Sequence, residues 1–266
     1  MRRHVGSARA LIRRSFGDSL CVVRGEFGTP LWFHLAEMPS LLAGTRRVER
    51  NMARDWAALL RPGDTIYDVG ANIGFTVQRF YDLLKRTCRV RAFEPIPRNL
   101  KLLERNTRRL PGVTIVEAAV GNHDGKAVMV DNRRHGSLSL LAELGPIRPA
   151  LVPFWGAVQD IEVNMVILDT VAATAEPPTF VKLDVEGAAP LVLQGATRLL
   201  AEARPVITCS YHSDAEHGDV VSILRAQGYG CVEWADDRLV WCSFDSRAGH
   251  FVHPLDPRAA AIRDRR

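Results

Sequence analysis

The chain has 266 residues, of which 47% are hydrophobic, and it carries a formal net charge of +5. This length and apolar fraction are typical of an enzyme-sized globular domain and exclude a disordered or fibrous protein. No window of about eighteen apolar residues occurs, so we expect no membrane-spanning helix. The five cysteines show no Cys-x-x-Cys spacing. They argue against a disulfide framework or a zinc site and favour a reduced, cytoplasmic setting.

The positive charge is concentrated at the two ends of the chain. Residues 1–17 contain five arginines and no acid, and residues 258–266 contain four arginines and one aspartate. The middle of the chain is therefore net negative. A nucleic-acid groove needs a basic face on the folded domain, so we expect no nucleic-acid partner. The first segment also lacks the apolar stretch of a secretory signal, and we expect a solvated terminus there.

Two elements are predicted before the first buried strand. Residues 19–37 alternate around Gly25 and Gly28, which predicts a hairpin, and residues 45–60 are predicted to be helical. We expect residues 1–60 to form a basic tail, a hairpin and a helical cap at one edge of the main domain.

The most informative segment is DTIYDVGANIGF, residues 64–75, in which an apolar strand leads into a glycine-rich turn and then an amphipathic helix. Gly70 and Gly74 allow the left-handed backbone of a sharp strand-to-helix turn, and Asn72 is among the few other residues that tolerate it. Backbone without side chains at such a turn lets a cofactor approach closely. The alternative is a glycine-rich turn that joins strand and helix and binds no ligand. The residues expected to contact a cofactor here are Asp68, Gly70, Ala71, Asn72, Gly74 and Phe75.

A second acid lies about twenty residues beyond the turn. Residues 89–93 are predicted to form a short buried strand, which leads into Glu94 and Pro95. In dinucleotide-type folds an acid at this distance binds the ribose, and a carboxylate can accept both hydroxyls of a cis-diol. We therefore expect Glu94 and Pro95 to bind the nucleoside part of a cofactor. The alternative for Glu94 is a solvated acid at a strand end.

Alternating strand and helix patterns continue along the chain and predict an α/β sheet. After a second predicted hairpin at residues 126–131, the stretch 132–159 is irregular, and we expect it to be a substrate-side lid. Later strands are predicted at residues 179–183, 205–209, 230–234 and 238–244, the last two as an antiparallel pair.

Polar residues follow the later strands, at the sheet edge where ligands of open parallel sheets bind. Asp184 and Glu186 follow one strand, and His212 follows the next. An imidazole is well matched to general-base chemistry near pH 7, so we expect His212 to be the base and Asp184 to orient it or the substrate. Three alternatives remain. His212 could be a surface histidine that follows a strand. The two acids could cap the helix that begins near Pro190, or all three side chains could hold a divalent metal, although the spacing is not diagnostic and we expect none.

The chain resembles the FkbM-type family of S-adenosylmethionine (SAM)-dependent methyltransferases on four blocks. They are DVGANIGF at 68–75, AFEP at 92–95, EAAVGNHDG at 117–125 and VKLDVEGAAPLVLQGA at 181–196. The last block is the most specific, because many methyltransferases share the first two. The chain departs from the family at Ser210, which stands where an acid is usual near the histidine.

The resemblance implies a Rossmann-like class I methyltransferase fold, with a mostly parallel seven-stranded sheet, helices on both faces and an antiparallel last strand. It places the methyltransferase domain at residues 61–250 and a basic tail at 251–266. It also implies that SAM is the cofactor, with Asp68 near the methionine amine and with Ala119 and Val120 among the contacts.

The function implied by the resemblance is O-methylation of a hydroxyl on a small molecule, sugar or glycan. The alternative is a non-catalytic protein of the same fold that binds SAM or a nucleotide, which the change at Ser210 keeps open. A nicotinamide-dependent oxidoreductase is not favoured, because Asn72 stands where such a turn has glycine. The sequence does not identify the acceptor, and it is compatible with a homo-oligomer.

Overall fold

The structure is a computed structural model, and it describes residues 19–24, 28–35, 37–43, 50–132, 139–141, 158–235, 237–246 and 249–262. The predicted solvated terminus and most of the predicted lid lie outside these ranges. Among the described helices, none is long and apolar enough to cross a membrane.

The main sheet has eight strands within the described part of the chain. They are β3 (Thr65–Val69), β4 (Arg89–Phe93), β5 (Val113–Val116), β10 (Phe180–Leu183), β11 (Val206–Cys209), β12 (Gly230–Ala235), β13 (Arg238–Cys242) and β14 (His250–Val252). Their order across the sheet is β13-β12-β14-β11-β10-β3-β4-β5. Neighbouring strands in the row β11, β10, β3, β4 and β5 are parallel. β14 is antiparallel to both of its neighbours, β11 and β12.

Helices cover both faces of this sheet, which confirms the predicted α/β fold. The described α-helices are Arg50–Leu59, Phe75–Leu83, Pro97–Thr107, Leu168–Thr174, Ala189–Gln194, Thr197–Glu202 and Asp214–Ala226. On one face Trp56 and Phe80 pack with Phe180, and on the other Val192 packs with Val181. Because side chains alternate along a strand, each central strand contributes to both cores.

The strand order reverses between β3 and β10. From β3 the chain continues to β4 and β5 on one side, and it later crosses back to β10 and β11 on the other. Ligands of open α/β sheets bind outside the carboxyl ends of the strands at such a switch point. The turn after β3 and the residues after β10 meet at this point, where Gly70 lies against Asp184.

The far edge of the sheet differs from the prediction. β12 and β13 pair antiparallel as predicted, but the sheet has eight strands rather than seven, and β14 lies between β11 and β12. Phe251 and Val252 are fully buried in β14, and Arg258 forms a buried ion pair with Asp64. The predicted boundary at residue 250 therefore cuts through a strand, and the described residues that follow pack on the domain.

A second sheet of four strands was not predicted. Its strands, in spatial order, are β6 (Ala119–Val120), β9 (Val158–Val166), β7 (Gly125–Asn132) and β8 (Ser139–Leu141). The hairpin predicted at residues 126–131 is instead the single strand β7, which pairs antiparallel with β9. Within the predicted lid, residues 139–141 form β8 and residues 158–159 begin β9, so the expectation of an irregular stretch is wrong there.

The N-terminal hairpin is confirmed, and it lies against the predicted cofactor turn. Its strands are β1 (Leu20–Arg24) and β2 (Pro30–His34), and the described helix Arg50–Leu59 falls within the predicted helical cap. The Asn106 side chain joins hairpin and turn, because its Nδ2 donates to the carbonyl of Trp32 at 2.9 Å and to that of Ile73 at 2.7 Å. The hairpin is thereby held beside the site.

Candidate active site

The turn after β3 has the predicted left-handed backbone. The φ angles are +82° at Gly70, +51° at Asn72 and +85° at Gly74. A Cβ atom at Gly70 would lie 2.1 Å from the carbonyl oxygen of Asp184. The packing of this turn against the end of β10 therefore requires glycine at position 70, whether or not a cofactor binds. Gly74 is likewise packed against a helix, since a Cβ there would lie 2.9 Å from Leu103 Cδ1.

Glu94 is a buried acid that joins two loops of the site. Its Oε2 accepts a hydrogen bond from Asn72 N at 2.9 Å, and its Oε1 accepts from Ile96 N at 3.0 Å and Asn99 Nδ2 at 3.1 Å. A carboxylate offers about four lone-pair sites, so these three donors leave about one. Glu94 is therefore not the solvated acid of the alternative interpretation, and it can accept one ribose hydroxyl rather than both.

Burial raises the pKa of Glu94 to about 7, although the hydrogen bonds from Ile96, Asn99 and Asn72 oppose the shift. Burial disfavours the charged form of a carboxyl group, whereas donors favour it. The ability of this side chain to accept another hydrogen bond therefore changes near neutral pH.

Two adjoining cavities lie at the switch point. The first, which we call the cofactor cleft, includes about 560 Å³ of space not filled by protein atoms and is partly open to solvent. The predicted residues that line it are Gly70, Asn72, Glu94, Pro95, Ala119, Val120, Asp184 and Glu186. Apolar side chains complete its wall, among them Phe93, Ile96 and Met129. Met129 comes from β7, which the sequence did not indicate.

The second cavity, which we call the inner cavity, is lined by Ala71, Phe75 and Lys182 among others. It shares four residues with the cofactor cleft, namely Gly70, Asn72, Asp184 and Glu186. The two cavities therefore meet at the turn after β3 and at the two acids that follow β10.

Asp68 and Lys182 form a buried ion pair beneath this junction. Lys182 Nζ lies 3.2 Å from Asp68 Oδ1 and 3.5 Å from Asp184 Oδ2, and it donates to the carbonyl of Gly70 at 3.3 Å. Asp68 also accepts a hydrogen bond from Thr76 Oγ1. The Asp68 side chain is fully buried and borders neither cavity, so in this structure Lys182 separates it from the site.

The predicted catalytic residues lie together. His212 Nε2 is 3.2 Å from Glu186 Oε2 and 3.7 Å from Asp184 Oδ1. Glu186 has a φ of +50°, a strained conformation for a residue with a side chain, and such strain is concentrated at functional sites. The segments that follow β10 and β11 therefore bring the three side chains to one place.

Glu216 is a member of this group that the sequence interpretation missed. Its Oε2 accepts a hydrogen bond from His212 N at 2.7 Å and lies 3.6 Å from His212 Nδ1. The pattern Ser213-x-x-Glu216 is a capping-box signature, and Ser213 Oγ does accept from Glu216 N at 3.0 Å. Glu216 therefore places a carboxylate beside the histidine.

The surroundings of His212 and Glu186 shift the pKa values of both side chains. The contact between the His212 ring and Glu216 is the largest effect on the pKa of His212 and raises it, and the neighbouring Glu186 and Asp184 act in the same direction against burial. Burial raises the pKa of Glu186 to about 7, and the nearby His212 opposes this shift. The pKa values of His212 and Glu186, which lie 3.2 Å apart, are therefore both raised above their ordinary values.

The same three side chains have the composition of a metal site. One ligand atom each from Asp184, Glu186 and His212 lies within 4.8 Å of the other two. Oxygen and nitrogen donors of this kind suit a divalent cation. Lys182 lies beside Asp184 and supplies positive charge at the same place, which lessens the need for a metal.

The comparisons with known proteins identify the family of the chain. A family model described as the Methyltransferase FkbM domain matches residues 68–231, which include the turn, Glu94, Asp184, Glu186 and His212. The chain belongs to this family. Beyond the family model, no curated protein sequence matches the chain significantly.

Solved structures share the class I methyltransferase fold with this FkbM-family protein. Methyltransferase FkbM from Methylobacillus flagellatus KT is similar over 78% of this chain and 48% of its own, with a TM-score of 0.51 and 20% identity. The chain therefore spans about half the length of that protein. Fibrillarin from Aeropyrum pernix, solved with SAM, has a TM-score of 0.40 and 16% identity and covers 88% of this chain and 92% of its own. A SAM-dependent O-methyltransferase from Thermotoga maritima has a TM-score of 0.42 and 12% identity over 87% of this chain and 76% of its own.

Proposed function

We propose that this methyltransferase transfers the methyl group of SAM to a hydroxyl of a small molecule, sugar or glycan. The observation that supports this most strongly is that the cofactor cleft and the inner cavity share Asp184 and Glu186, beside His212. A donor in the cleft and an acceptor in the cavity would meet at a group of proton acceptors. A protein that only bound the cofactor would have no need of such a group.

The residues of the cofactor cleft fit SAM. Gly70 and Asn72 line the cleft where the methionine part would lie, and Glu94 keeps an acceptor site for one ribose hydroxyl. The apolar wall that contains Phe93 and Met129 suits the adenine. When bound, SAM supplies a methyl group on a positively charged sulfur, which leaves as a neutral thioether.

The protein itself aligns the two reactants and removes a proton. Alignment of two bound groups supplies roughly 7 to 11 kcal/mol of a barrier. In our proposal the acceptor oxygen forms its bond to the methyl carbon while His212 Nε2 takes the hydroxyl proton. Glu216, 3.6 Å from Nδ1, and Glu186, 3.2 Å from Nε2, stabilise the resulting imidazolium. A positioned base adds roughly 10²- to 10⁴-fold.

Cofactor binding is the first test of the proposal. We expect S-adenosylhomocysteine to bind and NAD not to bind in calorimetry. Glu94→Ala should weaken S-adenosylhomocysteine at least about tenfold, which corresponds to about 1.4 kcal/mol, because a charged acceptor for the ribose is lost. Glu117→Ala is the matched control, since Glu117 is exposed and lies outside the cleft.

An affinity within twofold of the unmodified protein in Glu94→Ala would contradict the ribose role. A thermal melting curve for each variant separates lost binding from lost folding. Glu94 also satisfies the backbone of Asn72 and Ile96, so Glu94→Gln serves as the variant that changes the structure least.

The affinity for S-adenosylhomocysteine should rise with pH. Glu94 has a raised pKa of about 7 in the folded protein, and only its ionised form accepts a hydrogen bond with full strength. Between pH 6 and pH 8 the competent fraction increases, and the affinity should increase about five- to tenfold. Glu94→Gln should remove this dependence. Glu186→Gln should keep it, which would assign the effect to Glu94 and not to the other acid of similar pKa.

The raised pKa of Glu94 changes the stability of the folded protein in the opposite direction, so that stability falls as the pH rises. The folded state holds the Glu94 proton up to about pH 7, whereas the ordinary pKa of a glutamate side chain is 4.5. The contribution of Glu94 to stability is therefore fully present below pH 4.5 and is lost as the pH rises toward 7. A rise in affinity over this range cannot be explained by a more stable protein.

A further inference from the structure

Two cysteines face each other at the far edge of the main sheet. Cys231 in β12 is directly opposite Cys242 in β13 in the antiparallel register. Their Sγ atoms are 3.2 Å apart. A disulfide needs about 2.05 Å between the sulfur atoms, so a small rotation of the two side chains is enough to close the bond.

The backbone of the pair already has the spacing of a disulfide. Residues directly opposite in an antiparallel ladder have Cα atoms roughly 4.5 or 5.5 Å apart, according to their place in the hydrogen-bond pattern. Both values fall within the range of about 4.4 to 6.8 Å that disulfides require. Closing the bond therefore needs no change in the strand register.

The two thiols differ in access, and they share an apolar cluster with the residue before His212. Cys231 is buried, whereas Cys242 is partly exposed. Both pack in the same apolar cluster as Tyr211, the residue before His212. The Tyr211 ring also contacts the His217 ring edge-to-face at 4.7 Å on the following helix. A change at the cysteine pair is thus close to the segment that positions the predicted base.

We propose that Cys231 and Cys242 form a dithiol that a low-molecular-weight disulfide oxidises to an intramolecular cross-strand disulfide. The Cys242 thiolate attacks one sulfur of the oxidant, which forms a mixed disulfide and releases one thiolate. The Cys231 thiolate then attacks the Cys242 sulfur, which forms the protein disulfide and releases the second thiolate. The two cysteines lose two protons and two electrons, and one oxidant molecule is reduced to two thiols.

The environment predicts that this reaction is slow at neutral pH and faster in alkali. The contact with Cys242 and burial raise the pKa of Cys231 well above the ordinary thiol range. Since the thiolate is the attacking species, the second step is limited by the small ionised fraction of Cys231.

The test uses the purified full chain and oxidised glutathione. Reduced protein should contain five titratable thiols when it is unfolded, because the sequence has five cysteines. After oxidation and removal of glutathione, we expect three, with a peptide in which Cys231 is joined to Cys242 in mass spectra taken without reduction. The oxidised protein should also melt at a higher temperature, because the crosslink restricts the unfolded chain.

Single variants decide whether the pair is specific. Cys21→Ser, a change at a cysteine outside the pair, should still lose two thiols. Cys242→Ser should lose none to an intramolecular disulfide. Five remaining thiols in the unmodified protein at alkaline pH, or a bond that joins any other two cysteines, would overturn the proposal. Neither result depends on the methyltransferase assay, so the proposed function is tested separately.

Discussion

His212→Ala should lower kcat by at least about 10²-fold, or about 2.7 kcal/mol, and leave the affinity for S-adenosylhomocysteine unchanged. His212 lines neither cavity, but its Nε2 lies 3.2 Å from Glu186 and 3.7 Å from Asp184, which line both. Steady-state kinetics and calorimetry measure the two quantities. His123→Ala is the matched control, because His123 is exposed in a loop and its Nδ1 lies 3.1 Å from Oδ1 of the neighbouring Asn122.

Chelation separates the base from the metal alternative. Activity that survives EDTA but is lost in His212→Ala supports a proton acceptor. Activity that is lost with EDTA and restored by Mg²⁺ supports a cation held by Asp184, Glu186 and His212. If His212→Ala kept most of its turnover, the base role would be wrong, and catalysis would rest on alignment and the two acids.

The positioning role of Glu216 can be checked in the same assay. Glu216 raises the pKa of His212, so Glu216→Gln should move the pH profile of kcat to lower pH. The sign follows because a base with a lower pKa is deprotonated at lower pH. A purely structural role would lower stability and leave the midpoint of the profile in place.

Lys182→Met should destabilise the protein by about 3 to 5 kcal/mol, because it leaves the carboxylate of Asp68 buried without its cation. Both side chains of this pair are at most 2% exposed. Urea unfolding measures the change. Lys126→Met is the matched control. Lys126 pairs with Glu162 at 3.7 Å, but both of these side chains are more than half exposed, and an exposed pair contributes about 0 to 1 kcal/mol.

The double variant Asp68→Asn with Lys182→Met tests the reason for this effect. The double variant should be more stable than Lys182→Met alone, because the amide that replaces the Asp68 carboxylate carries no charge that needs a cation. A double variant as unstable as the sum of the two single variants would show that Lys182 acts through packing and not through its charge.

The sequence was sufficient to predict the parts of the site that depend on local backbone chemistry. Gly70, Asn72 and Gly74 have the left-handed angles that a strand-to-helix turn demands, and these residue types are the ones that tolerate them. Asp184 and His212 were also expected together, because parallel strands end at one edge of a sheet. Each of these inferences needs only residue type and strand direction.

The sequence did not reveal features that depend on distant pairing. β14 has three residues, too few for an alternating pattern, and its place between β11 and β12 results from contacts with strands about twenty to forty residues away. Glu216 was missed because its role depends on the helix cap that turns it back to His212. The burial of Asp68 was equally invisible, since the same pattern fits an acid that touches the ligand.

Methyl transfer can be measured directly with SAM that carries a deuterated methyl group. The purified full chain is incubated with this SAM and an extract of the source cells, and the products are examined by mass spectrometry. We predict a hydroxyl compound that gains the labelled methyl group, together with S-adenosylhomocysteine in equal amount, and we predict neither with His212→Ala. Tight binding of S-adenosylhomocysteine without any labelled product from any extract would contradict catalysis and identify the chain as a cofactor-binding protein of the same fold.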